Sequence, residues 1–173
     1  MKRLLSLIML LALCVPAWAA DGDKEDEAKG TTGLPLPRYA ALRTNEVNLR
    51  TGPGTRYPIE WVFVKQGLPV EITAEYEIWR RVRDSDGAEG WVHKTALSGK
   101  RAAIVVAPPN DKTLRDLYRA EDLASPVVAH LEPGAIGQLL SCAPEWCRMK
   151  FDDVKGYLRK TEIWGVYPNE VFD

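Results

Sequence analysis

Trp79 and Trp146 each begin a short run in which aromatic, cationic and apolar side chains alternate. Because side chains on a β-strand alternate between its two faces, Trp79 shares a face with Arg81, and Trp146 shares a face with Arg148. The opposite face of the second run is apolar and marks the core side: Cys147, Met149 and Phe151. An outward indole beside a guanidinium suits an anionic, partly apolar ligand. The alternative is that each tryptophan closes one end of its fold or packs between units.

A second alternating run, Val47-Asn48-Leu49-Arg50, lies upstream of Trp79. Its period of two predicts a strand with Val47 and Leu49 facing inward and Asn48 and Arg50 facing outward. The run continues into Thr51-Gly-Pro-Gly54, whose glycines permit the positive φ angles of a tight turn. The polar pair Asn48 and Arg50 is therefore a second candidate binding surface.

Residues that could support catalysis or hold a metal are scarce. Two histidines and three cysteines leave little material for a metal site. Neither His93 nor His130 has an evident catalytic partner, and no G-x-x-x-x-G-K phosphate loop occurs. With 23 Lys and Arg against 24 Asp and Glu, the formal charge of −1 argues against a nucleic-acid partner. We therefore predict no enzymatic activity, no metal, no cofactor and no nucleic acid.

The N-terminus is predicted to be a secretory signal peptide over residues 1–19. Lys2 and Arg3 supply a positive start, an apolar run follows, and Ala17-Trp18-Ala19 has the small-x-small pattern of a cleavage site. Cleavage between Ala19 and Ala20 would leave a periplasmic or secreted chain with no stable membrane insertion. An uncleaved anchor, or lipidation at Cys14, is the alternative.

Cleavage also removes Cys14 and leaves Cys142 and Cys147, separated by Ala-Pro-Glu-Trp. The intervening residues favour a turn between two strands. In such a hairpin the two cysteines are opposed at a spacing that overlaps disulfide geometry, and an exported chain meets an oxidising environment. A structural Cys142–Cys147 disulfide is the prediction.

Between about Arg38 and the C-terminus, short apolar runs with Gly and Pro punctuation occur twice. Gly67, Trp79, Gly90-Trp91 and Lys94-Thr95 of the first copy correspond to a second series in the same order: Gly134, Trp146, Gly156-Tyr157 and Lys160-Thr161. This pattern predicts an all-β protein of two tandem small β-barrels, each with roughly five strands. The expected organisation is an acidic disordered linker over 20–37, a first barrel over 38–106, a Pro-containing linker over 107–111 and a second, divergent barrel over 112–173.

The string Asn48-Leu-Arg-Thr-Gly-Pro53, followed by Gly67, Trp79 and Gly90-Trp-Val92, resembles the bacterial SH3 (SH3b) domain. The resemblance implies SH3-like barrels, no catalysis and binding of cell-wall peptides. It also implies that the loop after Arg50 forms a groove, with Arg50 and Tyr57 as groove residues; a salt bridge from Arg50 that pins the loop is the alternative. Trp91 and Tyr157 are interpreted as core or barrel-edge aromatics. In the second copy Asp116-Leu-Tyr-Arg-Ala-Glu121 replaces the string, so its loop should differ in shape.

The sequence therefore favours a non-catalytic module of the cell envelope that binds a peptidoglycan stem peptide or another acidic wall ligand. The first copy is expected to bind and the second to support it. The candidate ligand-binding residues share exposure, charge or an aromatic ring: Asn48, Arg50, Tyr57, Trp79, Arg81, Trp146 and Arg148. The alternative is an interaction protein whose barrels dock another envelope protein. A concave site with cations would favour the first hypothesis, and a flat apolar patch the second.

Overall fold

The computed structural model describes residues 30–173 of the chain. The predicted signal peptide, its cleavage point between Ala19 and Ala20, and the start of the predicted acidic linker lie outside these residues. The first unit contains seven strands: β1 (Arg38–Leu42), β2 (Val47–Arg50), β3 (Ile59–Phe63), β4 (Pro69–Tyr76), β5 (Trp79–Arg83), β6 (Glu89–His93) and β7 (Leu97–Ser98). The second unit contains seven more: β8 (Ala102–Val105), β9 (Arg115–Tyr118), β10 (Val127–Leu131), β11 (Ile136–Cys142), β12 (Trp146–Phe151), β13 (Val154–Arg159) and β14 (Ile163–Trp164). Short 3-10 turns over Lys94–Ala96 and Lys160–Glu162 precede the last strand of each unit.

The two units have the same topology. The first sheet has the order β3-β2-β6-β5-β4-β1-β7, and the second has the order β10-β9-β13-β12-β11-β8-β14, which is the first order with every number raised by seven. Each sheet wraps one apolar core, with Leu49, Val82 and Val92 fully buried in the first and Leu117, Met149 and Leu158 in the second. The predicted all-β class and tandem organisation are confirmed. The predicted count of roughly five strands per unit was too low, since each sheet has seven.

The repeated glycines before Trp91 and Tyr157 let strands cross closely. A Cβ atom on Gly90 would lie 2.6 Å from Leu49 Cγ and 2.8 Å from the carbonyl oxygen of Arg50. A Cβ atom on Gly156 would meet Leu117 Cγ and the carbonyl oxygen of Tyr118, both at 2.6 Å. The glycine therefore allows β6 to pack against β2, and β13 against β9, at distances that no side chain permits.

The boundary between the units differs from the sequence-based prediction. Residues up to 106 were expected to belong to the first barrel, but strand β8 (Ala102–Val105) pairs with β11 and β14 of the second sheet. Its side chains Ala103 and Val105 are buried in the second core, at 0% and 1% exposure. Strand β8 is thus the counterpart of β1. The units meet at Gly99–Arg101 rather than at the Pro-containing segment 107–111, which lies inside the second unit.

The segment 30–37, predicted as part of a disordered linker, is held against the first unit by the carboxylate of Glu75. This carboxylate accepts hydrogen bonds from Thr31 Oγ1 (3.1 Å) and the backbone N–H of Thr32 (2.8 Å), and it pairs with Arg38 and with Arg80 (Nε–Oε1 3.2 Å). Burial acts to raise the pKa of Glu75, but the hydrogen bonds from Arg38 and the threonines outweigh it and lower the pKa to about 2. The segment is thus tied to the first unit by Thr31 and Thr32, which add hydrogen bonds to a buried carboxylate already paired with Arg38 and Arg80.

Aromatic and charged side chains fix the two units relative to each other. Tyr39 of β1 packs edge-on against Trp164 of β14, with 5.0 Å between ring centroids, and against Tyr167 at 4.7 Å. The Tyr167 hydroxyl donates to Glu71 Oε1 at 2.9 Å, and the other oxygen of this buried carboxylate pairs with Arg83 at 2.5 Å. Burial and the charge of Glu71 raise the pKa of Tyr39 to about 12. The units therefore meet through specific aromatic and hydrogen-bonded contacts rather than a loose tether.

The C-terminal segment reinforces this contact. Arg101, in the connection between the units, pairs with Glu170 and lies over the rings of Tyr39 (5.9 Å) and Phe172 (5.1 Å). Phe172 in turn exchanges two backbone hydrogen bonds with Cys142 at 2.8 and 3.1 Å. The last residues of the chain thus join the connection between the units to the disulfide-bearing strand.

Candidate functional site

Three polar and aromatic side chains form a cross-strand row on the outer face of the first sheet. Arg50 of β2 is paired with Trp91 of β6, and Trp91 is paired with Arg81 of β5. Directly paired residues point to the same face of a sheet, so Trp91 lies between the two arginines on one face. Arg81 is exposed, and Arg50 and Trp91 are half-buried. We call Arg50, Trp91 and Arg81 the outer row.

Arg50 is oriented by the loop that follows it. Its Nη1 donates to the carbonyl oxygens of Thr55 (3.2 Å) and Tyr57 (2.7 Å). The Tyr57 ring lies over Gly52, where a Cβ atom would approach the ring to 2.5 Å, and Arg56 stacks on the ring at 5.1 Å. Arg50 therefore pins its loop, as one alternative proposed, but through backbone carbonyls rather than a salt bridge. Asn48 is exposed two residues earlier on the same face.

Arg81 has an exchangeable partner. Its Nη2 lies 2.6 Å from Glu89 Oε2, and both side chains are substantially exposed, at 49% and 37%. Exposed ion pairs contribute about 0–1 kcal/mol, so an incoming carboxylate can replace Glu89 at low cost. The outer row therefore offers the Trp91 indole as a stacking surface. It also offers the Arg81 guanidinium, which Glu89 orients but which can exchange this partner for a ligand.

Trp79 and Trp146 lie on the outer faces of β5 and β12, on the same side as Arg81 and Arg148, but they are not the accessible plates that a binding surface requires. Each is only 8% exposed. Trp79 lies between its paired residues Tyr76 and His93 and packs edge-on against the His93 ring at 5.5 Å. Because β5 and β12 have strands on both sides, neighbouring side chains cover an aromatic ring on their outer face. Trp146 is packed in the same way against Tyr118 at 5.7 Å, with Arg159 over its ring at 5.6 Å.

The aromatic residue of the outer row, Trp91, was interpreted from the sequence as a core or barrel-edge residue. The signal for its orientation was available in the alternation, since Gly90 and Val92 on either side of it are buried. The alternation did not reveal the register of β6 against its neighbours. That register places Trp91 directly opposite both Arg50 and Arg81.

The second unit has an equivalent row with different chemistry. Tyr118 replaces Arg50, Tyr157 replaces Trp91, and Arg148 occupies the position of Arg81. This row has one cation in place of two. Its loop also lacks the pinning arginine, and is held by Ser125 Oγ, which accepts from the Ala120 N–H at 3.0 Å. The sequence-based expectation that this loop differs agrees with these contacts.

The predicted disulfide is present. Cys142 and Cys147 are paired across the β11–β12 hairpin, with 4.1 Å between their Cα atoms, and both are buried. It joins two strands of the second core at the hairpin end, next to Trp146. The bond leaves neither cysteine free to act as a nucleophile.

The histidines have partners that the sequence did not reveal. His93 Nδ1 lies 2.7 Å from Thr95 Oγ1, and His130 Nδ1 lies 2.7 Å from Asp116 Oδ1 on the exposed face of β9 and β10. Within residues 30–173, no three His, Cys, Asp or Glu side chains are grouped closely enough to hold a metal ion. The same residues include no helix long and apolar enough to span a membrane.

Comparison with known proteins identifies the fold family. A family model described as Bacterial SH3 domain matches residues 43–99 and 112–165, one segment in each unit. The first segment begins just after β1, and the second begins between β8 and β9, so neither includes the first strand of its unit. A comparison with curated proteins finds no match.

Solved structures with partial likeness include two proteins from Trichomonas vaginalis and one from Bacillus cereus. NlpC2 of T. vaginalis is 15% identical, with a TM-score of 0.33 over 74% of this chain and 48% of the other. NlpC1 of T. vaginalis is 14% identical, with a TM-score of 0.34 over 78% and 48%. The NlpC/P60 family protein of B. cereus is 16% identical, with a TM-score of 0.32 over 73% and 55%. The chain thus spans about half the length of each. Because the family model covers most of both repeats, the chain belongs to the bacterial SH3 domain family.

Proposed function

We propose that the protein is a non-catalytic binding module of the bacterial cell envelope whose first unit binds an acidic wall ligand, with a peptidoglycan stem peptide as the leading candidate. The proposal rests on family membership and on one observation, the placement of Trp91 between Arg50 and Arg81. A periplasmic or secreted location is part of the proposal and rests on the N-terminal sequence. No cofactor is part of it.

The outer row supplies two complementary interactions. The indole offers a flat apolar surface for the aliphatic part of a ligand. Arg81 can exchange Glu89 for a ligand carboxylate, and guanidinium–carboxylate pairs form two parallel hydrogen bonds. Arg50 contributes positive charge while it holds the loop that borders the row.

The roles of the other candidates change with the geometry. Asn48 borders the row as an exposed hydrogen-bonding group, and Tyr57 shapes the loop. Trp79 and Trp146 are covered by neighbouring side chains, and their role in this proposal is to stabilise the sheets. Arg148, flanked by Tyr157, leaves the second unit with a weaker version of the site, which supports the division into a binding unit and a supporting unit.

The test is retention of the chain from Ala20 onward on purified peptidoglycan sacculi. Arg81→Ala and Trp91→Ala should each reduce retention about tenfold or more, because a hydrogen bond to a charged group or a stacked aromatic is worth roughly 1.5 kcal/mol. Raising the salt concentration should weaken wild-type retention, since the Arg81 guanidinium is exposed.

Trp61→Ala is the matched control, because Trp61 is an exposed tryptophan of the same unit outside the outer row (60% exposed). Its retention should equal that of the wild type, and melting temperatures of all variants would show whether they remain folded. Equal retention of all four proteins, or no retention of the wild type, would remove the proposal.

A second candidate function is docking of another envelope protein, and the exposed edge of the first sheet favours it. Strand β3 is an edge strand that presents Ile59 (46% exposed) and Trp61 (60% exposed) beside unpaired backbone groups. If Trp61→Ala abolishes periplasmic cross-links while Arg81→Ala leaves them intact, this function replaces the first.

A further inference from the structure

A cleft of about 480 Å³ lies between the two units, away from the outer row. Its first wall is formed by the end of β1 and by Ser98, and its second by β8 and the start of β11. This volume is within the range of about 300–1,000 Å³ that is usual for small-ligand sites. The cleft is independent of the site proposed above, because it shares no residue with the outer row.

The cleft is held open by contacts at its ends. On one side, Lys65 Nζ donates to the carbonyl oxygen of Gly134 at 3.0 Å. On the other, Arg101 in the connection between the units is fixed by Glu170. Because both ends are tied, the cleft exists before a ligand arrives, which reduces the entropic cost of binding.

The charge of the cleft is positive. Arg43, Lys100 and Arg101 line it, and its lining includes no Asp or Glu. Glu170 neutralises Arg101, but Arg43 donates only to the carbonyl oxygen of Leu97 (3.1 and 2.8 Å), and within residues 30–173 neither Arg43 nor Lys100 forms an ion pair. In a chain whose formal charge is −1, two uncompensated cations at one cleft favour an anionic ligand.

The remaining lining suits peptide groups. Gln66 and Gln138 carry amides that both donate and accept hydrogen bonds, and Gln66 is already oriented by donating to the Arg43 carbonyl oxygen at 2.8 Å. The floor is apolar or small, with Ala41, Ala102 and Ile136. A ligand with a carboxylate, amide groups and small side chains would therefore find a partner for each part.

We propose that the cleft between the units is a second binding site, which takes a short peptide with small side chains through its terminal carboxylate. The carboxylate lies near Arg43 and Lys100, and the peptide groups face Gln66 and Gln138. The two units are then needed together, since each supplies one wall.

The experiment is an NMR titration of the isotope-labelled chain from Ala20 onward with the acetylated tripeptide Ala-Gln-Ala, as the free acid and as the C-terminal amide. The free acid should shift the amide signals of Ser98, Lys100 and Gly137 and bind about tenfold more tightly than the amide, the usual effect of one charge-assisted hydrogen bond. Lys100→Gln should weaken binding of the free acid about tenfold.

Lys112→Gln is the matched control, because it removes the same charge at an exposed position outside the cleft. It should leave binding unchanged. Equal binding of acid and amide, equal binding of inorganic phosphate, or loss of binding in both lysine variants would overturn the proposal. Shifts confined to Arg50, Arg81 and Trp91 would overturn it while supporting the outer row, so the two proposals fail separately.

Discussion

Replacing Gly90 with alanine tests the close strand crossing that positions the outer row. The added Cβ atom would lie 2.6 Å from Leu49 Cγ and 2.8 Å from the Arg50 carbonyl oxygen. Leu49 can change rotamer, but the carbonyl oxygen belongs to the backbone of β2 and moves only if the strand moves. We expect β6 to shift away from β2, which separates Trp91 from Arg50.

The size of the effect follows from the contacts. Overpacking of a core costs about 1–3 kcal/mol, and the backbone contact places Gly90→Ala near the upper end, at about 3 kcal/mol. A change of 1 kcal/mol shifts the melting temperature by about 4–8 °C for a domain of 60–100 residues and by about 2–4 °C for one of 150–250 residues. The expected decrease is therefore about 12–24 °C if the first unit unfolds alone, and about 6–12 °C if both units unfold together.

The assay is thermal and urea unfolding of the chain from Ala20 onward, followed by tryptophan fluorescence and circular dichroism. Gly99→Ala is the control, because a Cβ atom there meets nothing within 4 Å and its φ lies outside the left-handed region. Gly156→Ala should match Gly90→Ala or exceed it, since its two nearest contacts are both at 2.6 Å. If Gly90→Ala lowers the free energy of unfolding by less than about 0.5 kcal/mol, which is typical of a surface substitution, Gly90 does not position the outer row in the way described.

Two further predictions concern the N-terminal segment and the disulfide. Because the pKa of Glu75 is lowered from 4.5 to about 2, its stabilising effect should be complete above pH 4.5 and lost as the pH falls towards 2. The hydrogen-exchange protection factors of residues 30–37, which correct for the intrinsic pH dependence of exchange, should fall over that window in the wild type, and Glu75→Gln should show low protection already at neutral pH. Wild-type protection that does not change with pH would contradict this. Removing the disulfide with Cys142→Ser should lower the free energy of unfolding by about 2 kcal/mol in the chain-entropy model, as measured by urea unfolding. Two reactive thiols in the unreduced wild-type chain would contradict the disulfide itself.

The local sequence pattern was enough to predict the fold class and the Cys142–Cys147 disulfide. The recurrence of Gly-aromatic and Lys-Thr pairs required two copies of one unit, and the structure shows two sheets of identical order. The spacing of Cys142 and Cys147 around a turn determined their pairing, because a hairpin of that length opposes its ends. These features depend on residues close in sequence, so they can be read from sequence alone.

The outer row could be predicted only in part. Alternation correctly placed Asn48 and Arg50 outward and Leu49 inward, but it also placed Trp79 outward as an exposed plate. Which face a side chain occupies is a local property, whereas its exposure depends on what the adjacent strands place beside it. Trp79 is covered by Tyr76 and His93, and only the register of three strands reveals this.

The sequence by itself determined that this chain forms two similar β units, that one carries a disulfide and that an Asn-Leu-Arg strand with a Gly-Pro-Gly turn precedes a Trp-Arg strand. The tertiary structure decided that β8 belongs to the second unit, that Trp91 rather than Trp79 stands between the two arginines, and that a basic cleft is formed where the units meet. The physical reason is the range of the interactions. Turn and alternation preferences act over a few residues, whereas strand pairing, burial and the Tyr39–Tyr167–Glu71 contact join residues far apart in the chain.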